Sequence, residues 1–181
     1  MVSNMKAVYV GIDVGGNGGI FAFNDKGEVL TKEAIPQIKG GGGVDYNKLY
    51  KYLKRIRAKA GHKAVLKVGI EDVHSLYGMS AKSNFSFGFI KGLKIGMLES
   101  LGYDYELVAP KKWQKLVWID SDIVPKSTGK GKDTKATSLN AANRIFPLVD
   151  FRKSDRSRIP HDGIFDSALI AEYIRIVNTQ E

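Results

Sequence analysis

Four carboxylates stand where their spacing lets them act together. Asp13 ends an apolar run, 7–13, just before a glycine-rich stretch, and Glu71 ends a second apolar run, 64–70. Asp162 and Asp166 lie four residues apart at the head of a third apolar segment. On a helix that spacing puts both on one face, with Cβ atoms roughly 5–6 Å apart, where like charges repel and need a compensating cation. Carboxylate oxygens suit hard divalent cations such as magnesium. Two such ions about 3.5–4 Å apart can activate water and stabilise the leaving oxygen in phosphodiester hydrolysis. Each acid alone has a plainer use. Asp13 could support the glycine turn, Glu71 could pair with a lysine, and Asp162 could cap a helix with His161 before it. Two strand-terminal acids with a helical pair is a far rarer combination.

The elements that must position them can be read in order. Runs 7–13, 20–23 and 28–35 are mostly apolar or β-branched and predict three strands, separated by the glycine turn 14–19 and a hairpin turn at 24–27. Four consecutive glycines close the loop 36–43. Asp45 is a good N-cap for a helix carrying Leu49, Leu53 and Ile56 on one face, and Gly61 stops it. A fourth strand, 64–70, delivers Glu71. A long helix follows at 80–101, with Gly88, Gly92 and Gly96 at four-residue spacing beside an apolar stripe of Phe85, Phe89, Leu93 and Met97. Such a stripe lets another helix approach closely, and it reads as a packing surface leaning toward a subunit interface. A fifth strand at 103–108 and helices at 111–119, 133–146 and 161–177 complete the chain. The order β-β-β-α-β-α-β-α-α-α predicts an α/β protein: one domain over 1–181, with a mixed five-stranded sheet, its first three strands antiparallel, flanked by helices.

Charge narrows the partner. Of 181 residues, 28 are Lys or Arg and 19 Asp or Glu, a net +9, which points to a polyanion. The surplus is uneven. Lys48, Lys51, Lys54, Arg55, Arg57, Lys59, Lys63 and Lys67 have no acid among them, and 110–160 carries twelve basic residues against five acids. That second stretch includes a Gly/Ser/Lys segment with Lys126, Lys130 and Lys132, predicted as a mobile basic loop over 121–134, and a charged loop over 150–160. Lysines on such loops suit phosphate backbones, which they hold through counterion release. The chain has no Cys, which excludes disulfides and thiolate zinc sites. Its apolar runs fall far below the ~20 residues of a membrane helix, so a cytoplasmic, soluble protein is expected.

The order of elements and acids resembles the RNase H-like nucleases, and within them the RuvC family of Holliday-junction resolvases, with the closest likeness to phage-type relatives. The residues that carry it are Gly11-Ile12-Asp13-Val14-Gly15 with Gly18-Gly19, then Ile70-Glu71-Asp72-Val73, then His161-Asp162-Gly163 with Asp166-Ser167-Ala168-Leu169. Pro110-Lys111-Lys112-Trp113 and the helix from Lys135 to Pro147 add to it. The resemblance implies an RNase H-like fold and a homodimer, formed through the helix 80–101, that nicks a four-way DNA junction symmetrically. It further implies two magnesium ions per site, for which manganese can substitute, held by Asp13, Glu71, Asp162 and Asp166. Water would attack the phosphorus in line and leave a 5′-phosphate. One departure stands out: many family members space the last two ligands three apart, and here Gly163 occupies that position, leaving Asp162 as fourth ligand and His161 as the alternative. Lys111, Lys112, Lys130 and Lys132 are candidates for neutralising developing charge, and Lys111, Lys112, Lys126, Lys130, Lys132, Lys135, Arg152 and Lys153 for binding DNA. Leu76 and Tyr77 fall where the family inserts a wedge at the junction centre.

Three other readings are open. The turn 13–19 also looks like the phosphate loop of sugar kinases and actin-like ATPases, but those enclose nucleotide between two such domains and 181 residues supply one. A nuclease on RNA–DNA hybrid or other branched DNA would keep the fold and change the target. A non-catalytic nucleic-acid-binding module would have no need of all four acids.

Overall fold

The computed structural model describes residues 6–73, 78 and 80–179. Five strands form one sheet in the order β3-β2-β1-β4-β5, comprising β1 (Ala7–Ile12), β2 (Gly19–Asn24), β3 (Val29–Ala34), β4 (Val65–Glu71) and β5 (Tyr105–Val108). β1 runs antiparallel to β2, and β2 to β3, whereas β4 is parallel to both β1 and β5. The mixed sheet expected from the sequence is therefore present, with the glycine-turn strand at its centre. Helices α1 (Tyr46–Ala60) and α2 (Ala81–Ser100) bury Leu49, Leu53, Ile56 and Leu98 in one core with Val8, Val10 and Ile12. Helices α3 (Pro110–Val117), α4 (Thr134–Ile145) and α5 (Asp162–Thr179) close a second core around Tyr9, Phe21, Phe23, Trp113 and Phe146. Asp45 caps α1 through its side chain, as expected.

Alternation along the strands decides where the acids go. In β1, Val8, Val10 and Ile12 face the α1 side, so the odd positions face α5. In β4, Leu66, Val68 and Ile70 do the same, and Gly69 faces Ile170 and Ile174 of α5. β1 and β4 are paired in register with Gly11 opposite Gly69 and Ile12 opposite Ile70. One step further, Asp13 and Glu71 emerge side by side, both on the α5 face.

Helix α5 lies almost on the backbone of that face. A Cβ added at Gly11 would stand 2.0 Å from the carbonyl oxygen of Ser167, and one at Gly19 would stand 2.1 Å from that of Gly163. Gly163 itself forms a bridge with Gly18, and a Cβ there would meet backbone at 2.4 Å. Only glycine allows this approach. Gly11→Ala is accordingly expected to push α5 off the sheet and cost about 3 kcal/mol, the upper range for overpacking. Urea unfolding with an unchanged midpoint would contradict this seating of the helix.

Two sequence expectations shift. The last helix turn expected up to residue 119 ends at Val117, and a 3₁₀ turn (Asp120–Asp122) follows. Asp122 is buried there because Arg144 of α4 grips its carboxylate through two nitrogens at 3.0 and 2.7 Å. Strand β5 begins at Tyr105 rather than 103, since Tyr103 turns into the core and donates to the Leu53 carbonyl at 3.2 Å. Segment 125–132 folds back on itself through a bridge between Pro125 and Lys132 and main-chain bonds Lys126–Gly131 and Gly129–Lys126. Among the described residues no helix is long and apolar enough to cross a membrane.

Candidate acidic site

The carboxylates of Asp13 and Glu71 are neighbours at the ends of the paired strands β1 and β4, close enough for the Asp13 charge to act on Glu71. Asp13 Oδ1 accepts the Gly15 N–H at 3.0 Å, so the glycine turn orients it. Glu71 Oε1 accepts the indole N–H of Trp113 at 3.3 Å, from the first turn of α3. Burial pushes Glu71 up to about 7, and the Asp13 charge adds to the rise. Asp13 is raised for the same leading reason, burial, opposed by the Gly15 N–H and by Lys94.

Asp166 faces them from α5, one turn beyond Gly163 and on the same side of the helix. Its Oδ1 is sealed from solvent and has no hydrogen-bond partner. Burial raises its pKa to about 8, with the Ser138 hydroxyl of α4 pulling it back and Asp13, Glu71 and Asp162 pushing further up. Three acids that cannot comfortably ionise together thus gather around the ends of β1 and β4.

Asp162 is more exposed. Burial works against its charge, but Lys135 of α4 donates to Oδ2 at 2.7 Å and the Gly163 N–H to Oδ1 at 3.1 Å, and its pKa falls below the ordinary value. His161 stands at the entry of α5, with its carbonyl accepting from Ile164 and Phe165, and its Nδ1 is buried without a partner. Burial lowers its pKa while Asp162 and Asp13 act to raise it, which places the ring beside the acids.

The donor set is all oxygen with one orphaned, buried carboxylate oxygen, and that chemistry fits a hard divalent cation. No group of three or more Asp, Glu or His side chains among the described residues is drawn tightly enough together to hold a metal ion as it stands. The residues suit the cation in kind and in charge, in an open arrangement.

Of the other residues singled out in the sequence, Lys135 belongs to the acid cluster itself. Lys111 and Lys132 line a cavity of about 520 Å³ between α3 and α4, together with Gln114, Lys115, Trp118 and Thr134. That cavity lies between the helices that reach Glu71 and Asp162. Lys112, Lys126, Lys130 and Lys153 are exposed. Arg152 is engaged by Asp150, through contacts of 2.8 to 3.0 Å. Leu76 and Tyr77 lie outside the described residues.

Sequence reasoning overlooked Lys94, Ser138 and the indole of Trp113 as parts of the site. Lys94 had a signal: it falls on the α2 face that buries Leu98, a charge in an inward stripe. On the opposite side of α2, Phe85 and Phe89 are 76% and 55% exposed and stack at 6.4 Å. A Cβ at Gly88, Gly92 or Gly96 would meet nothing within 4 Å, so the glycine stripe is not used for packing within the chain. Met97, expected in the outer stripe, packs instead against the α1–α2 core.

Comparison with solved structures places the fold. The structure of RuvC from Thermus thermophilus superposes with a TM-score of 0.54 at 15% identity, covering 95% of this chain and 97% of that one. The T. thermophilus RuvC in complex with Holliday junction substrate gives 0.53 at 13% identity, covering 96% and 97%. The α/β, RNase H-like architecture is thereby established, over nearly the whole length of both chains. Both come from one bacterium, so neither bears on the expected phage-type kinship. No family model and no curated protein matches the chain.

Proposed function

We propose that this chain is a divalent-metal-dependent endodeoxyribonuclease that resolves four-way DNA junctions as a homodimer. The observation that carries the reading is the meeting of Asp13, Glu71 and Asp166, from two adjacent strand ends and a helix seated on glycines, with Asp162 at their rim. Their mutual repulsion is a standing demand for cationic charge, and the fold's likeness to a RuvC solved with a Holliday junction supports the substrate. Magnesium ions held by Asp13, Glu71, Asp162 and Asp166 would supply an acidified water and would neutralise charge on the phosphodiester.

The chain's own residues account for the rest. The Gly15 N–H and the Trp113 indole fix the orientation of Asp13 and Glu71. Lys135, held at Asp162, is the side chain placed to meet a phosphate oxygen next to the acids. The cationic cavity of Lys111, Lys115 and Lys132 would receive the adjoining backbone. The open glycine stripe and the exposed Phe85 and Phe89 favour pairing through α2, and hence a two-fold substrate over an RNA–DNA hybrid.

A cleavage assay with magnesium on a four-way junction, a linear duplex and an RNA–DNA hybrid tests the reading. Paired nicks confined to the junction are expected, from a protein that sediments as a dimer; preferential cleavage of the hybrid by a monomer would replace it. Neutralising Lys126, Lys130 and Lys132 together is expected to lower the salt dependence of junction binding by about 2–3 in log–log slope, close to one per lost phosphate contact. A slope equal to the parent's would remove this segment from the interface.

A further inference from the structure

Lys94 is 1% exposed, deep under the glycine turn. Its Nζ donates to the carbonyls of Asp13, Val14 and Gly15 at 3.1, 2.9 and 3.2 Å. All three ammonium protons are therefore spent on three consecutive residues, the first of which is a site acid. Burying a charge this completely is costly, and a hydrocarbon side chain would fill the same space without the cost. Three residues earlier on α2, Lys91 makes an ion pair with Asp72, the residue after Glu71, with both side chains largely buried. Asp72 in turn donates its N–H to the Val108 carbonyl of β5 at 2.8 Å. One face of α2 thus reaches both acid-bearing strand ends.

We propose that Lys94 and Lys91 are positioning residues, a two-point clamp by which α2 fixes the main chain at Asp13 and beside Glu71 and so sets those carboxylates for divalent cation. The assignment rests on the metal-dependent nuclease reading. Lys94 touches neither substrate nor carboxylate oxygen; it acts through the turn. Its ammonium also interacts electrostatically with Asp13 and Glu71 from the inner side. Packing alone would ask for neither charge nor three donors. Partners of metal-binding side chains typically matter about 10–100-fold in metal affinity or activity.

The test is manganese binding by calorimetry on the full chain, alongside junction cleavage, junction binding and thermal melting. Lys94→Met is expected to weaken manganese binding and lower kcat by about 10–100-fold while the Kd for junction stays within twofold. Lys91→Met should shift the same quantities in the same direction by a smaller factor. In Lys94→Ala, added methylammonium should restore part of the manganese affinity, a rescue that a packing role does not provide. Wild-type manganese affinity in a folded Lys94→Met protein would overturn the proposal. Should that variant not fold, wild-type affinity in Lys91→Met would overturn it equally. A parent chain that binds no manganese would instead bring down the nuclease reading itself, a result distinct from either.

Discussion

Asp13→Asn and Glu71→Gln are each expected to abolish magnesium-dependent nicking of a four-way junction, by a factor on the order of 10³ or more, while leaving junction binding intact. Both substitutions keep shape and remove only charge. Asparagine can still accept the Gly15 N–H, and glutamine the Trp113 indole, so neither the turn nor α3 loses its anchor. What is lost is one of two neighbouring carboxylates whose pKa values burial raises, that of Glu71 further by the Asp13 charge. Removing one relieves the repulsion and with it the attraction for a divalent cation. On the proposed reading, binding to DNA rests on lysines elsewhere and should persist. Gel-shift and cleavage measurements on the same preparation decide it: cleavage within tenfold of the parent would sink the assignment of these acids.

How much of this site was legible beforehand depends on which physical rule each residue obeys. Asp13 and Glu71 were legible because strand alternation and strand ends are local, and both acids terminate apolar runs. The helical pair was legible as a spacing, but spacing could not say that its members would part company. Asp166 points into the cluster with its Oδ1 sealed there, whereas Asp162 stays at the rim on the side chain of Lys135. That division follows from Gly163, whose missing side chain lets α5 settle onto Gly18 and turns the face three residues later inward. In the sequence Gly163 registered only as an absent ligand. Lys135 registered as one more basic residue for DNA, because its partner is 27 positions away. Lys94 and Ser138 act across still longer separations; Lys94 shows locally only as a charge one turn from Leu98 on an inward face, and Ser138 shows nothing nearby. The glycines at 88, 92 and 96 were legible as a stripe, and only the fold tells that the chain leaves that stripe uncovered.

Asp166→Asn is expected to make the protein inactive and more stable at once, with a gain that grows as pH rises. An acid whose pKa is raised by folding binds its proton more tightly in the native chain than in the unfolded one. It costs nothing below the unfolded value near 3.8, and its penalty accumulates as pH climbs toward the folded value of about 8, then levels off. Asparagine carries no such penalty and can still accept from the Ser138 hydroxyl. The full shift overstates the gain, since Asp13 and Glu71 compete for the same proton. About 2–4 kcal/mol at pH 9, roughly 5–15 °C in melting temperature, is the scale expected. Melting curves at pH 5 and pH 9 should show the variant ahead of the parent by a wider margin at the higher pH. Magnesium should narrow that margin by stabilising the parent alone, because an ion that binds only the folded state raises its stability. A margin that shrinks as pH rises would mean that the carboxyl is not held protonated by its burial beside the other acids. The site would then not be the electrostatically strained cluster that its geometry describes. On the metal-dependent reading the same strain has a use: a carboxylate that destabilises the protein by itself would have its charge released when a cation binds.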